Sequence, residues 1–260
     1  MIESFFFDFD GTLQGFENHT ISDSTLEALQ LLKQKNKNIY IATGRNLVDM
    51  PDDVFSYGFN GFINNNGGMC SDENKNTFFV EYLDPNDIEA LLEYDEQNPT
   101  AFSFMTTDNP FSINRVNEGI IKSFSHFNIK VPDVVNPKDL RRDNIMQMNL
   151  FVDEIQEKYL MENILKNSVA TRWIEHFADI NPKDVNKMKG IERMANKYNI
   201  DLSKTMSFGD GGNDIAMLKG CTIGVAMGNA NENVKQIADY VTTSVEEDGI
   251  WNALKKYEII

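Results

Sequence analysis

The chain has 260 residues and a formal net charge of −16, with 40 acidic residues against 24 basic ones. That length fits one large domain or a core domain carrying a second one, and 18 Phe and 8 Tyr within a 41% hydrophobic composition exclude a disordered chain. The acidic balance argues against nucleic acid and anionic membrane surfaces, which need clustered Lys and Arg, but leaves small phosphorylated metabolites open, because one cation in a cleft reverses the local field.

Cys70 and Cys221 are the only cysteines, without CxxC spacing, so neither a disulfide framework nor a zinc site is expected. Met1-Ile2-Glu3 lacks a basic region, and no apolar run approaches the roughly 20 residues that span a bilayer. The expectation is a cytoplasmic protein.

Ser4 to Asp8 is a continuous apolar run that ends in polar residues and glycine, the pattern of a strand buried on both faces, with Asp8 at its carboxyl end. A helix follows from about Ser22 to Lys35, with Ser22 or Ser24 as its cap and Leu26, Leu29 and Leu32 on one face. Ile39 to Ala42 is a second strand, closed by Thr43-Gly44-Arg45. Strand, helix and strand in that order predict a right-handed parallel crossover, with Asp8 and Thr43 at the same ligand-collecting sheet edge.

The texture changes after the Asn64-Asn65-Asn66-Gly67-Gly68 turn. Strands are predicted at Phe78 to Tyr82, Phe102 to Thr106, Ile145 to Phe151 and Val169 to Trp173. Helices are predicted after Asp84-Pro85, at Val116 to Phe127 and at Glu154 to Lys166, and Val135 to Asp143 reads as a polar loop. This is the pattern of an α+β insert. From about Asn181 the βα rhythm returns, with a helix over Lys187 to Tyr198, a strand over Thr205 to Phe208, a glycine turn, a helix from Asp214, and a strand ending at Ala226. Further segments at Asn231 to Ala238, Tyr240 to Thr242 and Gly249 to Lys256 complete the series.

Three clusters carry chemistry. Asp8-Phe9-Asp10-Gly11-Thr12-Leu13 supplies a nucleophile with a neighbouring acid/base, or else an ordinary Asp-Gly turn at a strand end. Thr43-Gly44 supplies a hydroxyl and backbone N–H groups suited to phosphate oxygens, or simply a turn. Gly209-Asp210-Gly211-Gly212-Asn213-Asp214 brings two carboxylates to a loop–helix junction where a hard cation such as magnesium is at home, although a turn followed by a helix-starting aspartate has the same composition. Lys187, with Lys183 and Lys189 nearby, is either a solvated charge or the fixed cation that such a site needs.

In this order and spacing the clusters resemble the four motifs of the haloacid dehalogenase superfamily, and specifically its Cof-type phosphatases with an α/β cap. Asp8 to Leu13 resembles the first motif, Ala42 to Arg45 the second, Lys187 the third and Gly209 to Asp214 the fourth. Asn66-Gly67 and Gly224 to Ala230 also resemble family features. The family's third-motif lysine is usually followed by glycine, whereas here Met188-Lys189-Gly190 follows Lys187, which makes Lys189 a competitor; Val185-Asn186-Lys187 aligns better with the helix start.

The resemblance implies a Rossmann-like, doubly wound parallel α/β core at 1–82 and 182–260, with a cap that selects substrate at 83–181. It implies a Mg²⁺-dependent phosphatase acting on small phosphorylated metabolites, sugar phosphates foremost. A phosphomutase and a non-catalytic phosphometabolite-binding regulator are the alternatives. Asp8 is the implied nucleophile and Asp10 the acid/base. Asp8, the backbone carbonyl of Asp10 and Asp210 are the implied metal set, with Asp214 as a further ligand or as the anchor of a metal-bound water, while Thr43, Gly44, Lys187 and Asn213 hold the phosphate. Arg115, Arg141, Arg172 and His176 of the insert are available for hydroxyls or a second anion, each otherwise a solvated surface residue. A monomer or weak homo-oligomer is expected.

Overall fold

The central strand β1 (Ser4–Phe7) is Ser-Phe-Phe-Phe, with every residue buried. Only a strand covered on both faces keeps such a run out of water. The computed structural model describes residues 1–16, 19–107, 111–126 and 130–260. These form two compact units: Met1–Phe79 with Asn186–Ile260, and Val80–Val185. Among the described residues, no helix is long and apolar enough to cross a membrane.

In the first unit, α1 (Asp23–Gln34) starts where the Ser22 hydroxyl accepts from the Thr25 backbone N–H, and buries Thr25, Ala28, Leu29 and Leu32. It leads to β2 (Asn38–Ala42), which pairs parallel to β1. β3 (Gly61–Asn64) pairs parallel to β2, and β4 (Met69–Asp72) runs antiparallel to β3. β5 (Thr77–Val80) borders β4. β3 and β4 carry no turn or periodicity signal strong enough to predict them.

The chain's last third supplies α5 (Lys187–Tyr198), β11 (Thr205–Gly209), α6 (Ile215–Gly220), β12 (Ile223–Ala226), α7 (Glu232–Lys235), β13 (Tyr240–Val241) and α8 (Gly249–Lys256). The resulting eight-stranded sheet has the order β13-β12-β11-β1-β2-β3-β4-β5. β1 pairs parallel to β11 on one side and to β2 on the other, so the strand order reverses at β1. In doubly wound sheets that switch point opens a crevice at the strands' carboxyl ends. The expected α/β core is present, with an antiparallel strand near one edge. The segment Asn231 to Ala238 holds the short helix α7 over Glu232–Lys235.

The second unit holds α2 (Pro85–Gln97), β6 (Phe102–Thr106), β7 (Ser112–Ile113), α3 (Glu118–His126), β8 (Ile145–Leu150), α4 (Glu154–Asn163), β9 (Ser168–Ile174) and β10 (Phe177–Pro182). Asp84 caps α2 through the Asn86 N–H, with Pro85 in its first turn. The expected helix Val116 to Phe127 is observed over Glu118–His126, and Phe127 lies outside the described residues. The five strands form an antiparallel sheet of order β7-β6-β8-β10-β9. One face packs Phe102, Phe104, Met148, Leu150, Ala178 and Ile180 into an apolar core with α2 and α4. β10 is absent from the sequence-based expectation, because Asp179, Asn181 and Pro182 interrupt its apolar pattern.

Candidate active site

Three parallel strands end side by side, and each delivers a polar side chain to the same edge. Asp8 follows β1, with its N–H bonded to the Phe208 carbonyl of β11; Thr43 follows β2, with its N–H bonded to Ile63 O; Asp210 follows β11. Asp8 and Thr43 are buried and Asp210 is half-buried. One carboxylate oxygen from each of Asp8, Asp210 and Asp214 lies within 4.8 Å of the other two.

Lys187 is the first residue of α5, where the Asn186 side chain caps the helix by accepting from Lys189 N at 3.0 Å. Fully buried, it aims its ammonium at the acidic cluster: Nζ donates to Asp8 Oδ1 and, at 2.5 Å, to Asp214 Oδ1. Lys189 points to solvent and pairs with Glu192. Asp214 is fully buried, and its second oxygen accepts from the N–H groups of Asp210 and Gly211, each at 2.9 Å. That carboxylate therefore ties the lysine to the glycine loop.

The charge balance is lopsided, with three carboxylates facing one ammonium in a dry place. Burial, reinforced by Asp214 and opposed by Lys187, pushes the Asp8 carboxyl up to about 7. Burial and the charge of Asp8 push Asp210 well above the usual carboxylate range. Burial pulls Lys187 down, but Asp214 and Asp8 outweigh it and hold it protonated. A divalent cation at the oxygens of Asp8 and Asp210 would relieve this excess, and an all-oxygen donor set is the one that magnesium takes. The residues present thus fit the metal. Gly11, at φ 80°, lets the chain pass close to Asp210, since a Cβ there would collide with its carboxylate.

Asp10 stands beside Asp8 in sequence but points to a different partner. Arg45 Nε donates to Asp10 Oδ2 at 2.8 Å and its Nη2 to Oδ1 at 2.6 Å, a two-pronged grip, while the guanidinium carbon sits 5.0 Å over the Phe9 ring. Arg45 also donates to the Asp49 carbonyl at 3.2 Å. The Thr43 hydroxyl accepts from Arg45 N at 3.1 Å, so the Thr43-Gly44-Arg45 loop closes on itself. The turn after β3 braces that loop: Asn66 N donates to Thr43 O and Asn65 N to Arg45 O, both at 3.0 Å. Asn66, in the left-handed region at φ 53°, accepts from Asn213 Nδ2 at 2.9 Å. Asn229 Nδ2 donates to Asp210 Oδ2 at 3.1 Å and to Gly11 O at 2.8 Å.

Asp8, Thr43, Lys187, Asp210, Asn213 and Asp214 therefore belong to one constellation with Asp10 at its rim. Sequence reasoning assigned no part to Arg45, Asn66 or Asn229, although each lies in a segment quoted for the resemblance. The insert's arginines are committed within their own unit. Arg115 pairs with Asp95 at 2.5 Å, Arg141 with Asp143 at 2.9 Å, and Arg172 with Glu157 at 2.6 Å. His176 is half-buried in the turn between β9 and β10.

The profile of the haloacid dehalogenase-like hydrolases matches residues 5–254, spanning both units and every residue of the constellation. The chain belongs to that family. Similar proteins include the 5-amino-6-(5-phospho-D-ribitylamino)uracil phosphatase YcsE of Bacillus subtilis, 29% identical over 251 residues that cover 96% of this chain and 93% of that one. Among solved structures, the phosphatase BT1666 of Bacteroides thetaiotaomicron superposes with a TM-score of 0.92 at 33% identity, covering 100% of this chain and 96% of that one. The subclass IIB sugar phosphatase BT4131 superposes with a TM-score of 0.91 at 35% identity, covering 99% and 100%. This hydrolase is accordingly an enzyme of the phosphoric monoester hydrolase class.

Proposed function

We propose that this hydrolase is a Mg²⁺-dependent phosphatase of small phosphorylated metabolites, sugar phosphates foremost, working through an aspartyl-phosphate on Asp8. The observation that carries the reading is the burial of Asp8 at the sheet's switch point, between the Lys187 ammonium and the Asp210–Asp214 carboxylate pair. The names of BT4131, a sugar phosphatase, and of YcsE, a phosphatase of a ribityl phosphate, support the substrate class.

Asp8 attacks phosphorus in line; the phosphorus–oxygen bond to the leaving alcohol breaks, and Asp10 gives that oxygen a proton. Asp10 then takes a proton from water, whose oxygen attacks the phosphoryl group and releases phosphate and free Asp8. The bidentate hold of Arg45 on Asp10 keeps the acid/base from collapsing onto the metal cluster. Thr43, the Gly44 N–H, Lys187 and Asn213 hold the phosphate oxygens, with Asn66 fixing the Asn213 amide. Asp8, Asp210 and the Asp10 carbonyl would hold Mg²⁺, which supplies charge neutralisation for the phosphoryl group. Asp214, whose oxygens already serve Lys187 and two backbone amides, anchors this set rather than leading it. The residues 80–185 act as the cap that selects the leaving group.

The test is phosphate release from a panel of sugar phosphates, nucleotides and p-nitrophenyl phosphate, with Mg²⁺ or EDTA, for wild type and Asp8→Asn. Metal-dependent release that vanishes in the variant supports the reading. Release that survives Asp8→Asn removes Asp8 as nucleophile.

A further inference from the structure

The turn after β3 is a costly stretch of backbone. Asn65, Asn66 and Gly67 follow one another at φ 49°, 53° and 101°. L-residues enter that region singly and at a cost in free energy, so two asparagines and a glycine in a row stay there only where partners hold them. Two holds face the site: Asn65 N donates to Arg45 O and Asn66 N to Thr43 O. Another closes the turn on itself, from Gly68 N to Asn65 O at 2.9 Å.

Further holds come from α5. Asn186, Gly190 and Arg193 are spaced i, i+4 and i+7, which puts them in one stripe of the helix, and that stripe lies on the turn. A Cβ on Gly67 would collide with the Asn186 carbonyl, and one on Gly190 with the Ile63 side chain and, at 3.0 Å, the Gly67 Cα. Each glycine thus makes room for the other segment. At the far end of the stripe Arg193 Nη1 donates to Gly67 O at 2.8 Å, with its guanidinium carbon 3.9 Å over the Phe79 ring of β5. The ring steadies the plane of the guanidinium, and the guanidinium fixes the carbonyl that follows Asn66.

What depends on this hold is the Asn213 amide, whose Nδ2 donates to Asn66 Oδ1 at 2.9 Å. The Thr43 loop has bonds of its own, from Thr43 N to Ile63 O at 2.8 Å and from Arg45 N to Thr43 Oγ1 at 3.1 Å, whereas Asn213 meets the turn through the Asn66 side chain. We propose that Arg193 is a positioning residue of the phosphate site: by holding the Gly67 carbonyl it keeps Asn66 in its left-handed conformation and the Asn213 amide where it meets a phosphate oxygen. It acts through Asn66 and not on the substrate. This rests on the phosphatase reading above and adds to it a residue that lies outside the four motifs.

The test uses the full-length enzyme with Mg²⁺ and reads the inhibition constant of inorganic phosphate during p-nitrophenyl phosphate turnover, with kcat, KM and the melting temperature alongside. Arg193→Met removes the donor and keeps an apolar stem against Phe79. It is expected to raise the phosphate constant and KM by about fivefold, the scale of one lost hydrogen bond, with kcat held within roughly twofold. In an Asn66→Gly background the amide through which Arg193 acts is gone, so adding Arg193→Met should change the constant by less than about twofold. A side chain that merely steadied the fold would lower the melting temperature in both backgrounds and move the constant in neither, or in both alike. If Arg193→Met does not fold, Arg193→Gln, whose donor ends two atoms short of the guanidinium nitrogen, carries the same comparison. An unchanged constant in the folded variant, or equal rises in the two backgrounds, overturns the positioning role while the phosphatase reading stands. A wild type that releases no phosphate from any substrate overturns that reading and the positioning role with it.

Discussion

Replacing Lys187 by methionine keeps the length and apolar stem of the side chain and removes only the ammonium. In the wild type that ammonium serves two carboxylates, Asp8 at 5% exposure and Asp214 at 0%, from a position that is itself fully buried. Removing one partner of a buried pair costs about 3–5 kcal/mol, because the remaining charge has neither water nor counter-ion. The carboxyls can escape by taking a proton. From an ordinary pKa near 4 that costs about 1.4 kcal/mol per pH unit, roughly 5–6 kcal/mol at pH 8 but under about 2 kcal/mol at pH 5. In the variant the Asp8 carboxyl, already pushed up by burial, loses the opposing pull of Lys187 and rises further above its unfolded value, so the variant's stability is retained in acid and lost as pH rises. The wild-type advantage should therefore be about 3–5 kcal/mol at pH 8, or roughly 6–20 °C in melting temperature, and should shrink toward pH 5. Calorimetric unfolding in EDTA at the two pH values measures it, and Mg²⁺ should recover part of the loss by replacing the missing charge. A gap below about 1 kcal/mol at pH 8, or one that widens toward pH 5, would refute the view that Lys187 neutralises this cluster.

Three further outcomes follow from the same geometry. Arg45→Lys replaces a fork with a point donor that cannot hold both Asp10 oxygens; kcat should fall about 10- to 100-fold for sugar phosphates and less for p-nitrophenyl phosphate, whose leaving group needs little proton assistance, and equal losses would contradict Asp10 as the acid. Burial pushes the Asp49 carboxyl up to about 7 against the opposing pull of Arg45. This folded-state value lies above the unfolded one, so the wild type should lose stability as pH rises from about 4 to 7, by up to about 4 kcal/mol, and Asp49→Asn should flatten the dependence of melting temperature on pH over that window. Asn66→Gly keeps a residue that tolerates φ 53° but frees the Asn213 amide; the inhibition constant of inorganic phosphate should rise by about tenfold while the melting temperature changes little, and an unchanged constant would remove Asn66 as a positioning residue.

Local rules reached some of these residues and not others. The Phe5-Phe6-Phe7 run announces a central strand, and therefore where Asp8 must sit, because its apolar continuity has one economical explanation. The asparagine cap before Lys187 likewise marks the helix start that carries the ammonium into the core. The grip of Arg45 on Asp10 joins residues 35 apart, and the bond between Asn213 and Asn66 joins residues 147 apart. Both depend on which strand ends become neighbours, and a single segment holds no trace of that. β10 failed to register for a different reason: Asp179, Asn181 and Pro182 contradict strand propensity, and only pairing with β8 on one side and β9 on the other holds them extended.

The central claim is that Asp8 carries the phosphoryl group. The most direct measurement is acid quench of the enzyme during turnover of a ³²P-labelled sugar phosphate with Mg²⁺, followed by proteolysis and mass spectrometry of the labelled peptide. The account predicts label on the peptide containing Asp8, formed within the first turnover, discharged on further incubation with water, and missing from Asp8→Asn. Label on another residue, or turnover by wild type with no label on protein at any time point, would contradict it.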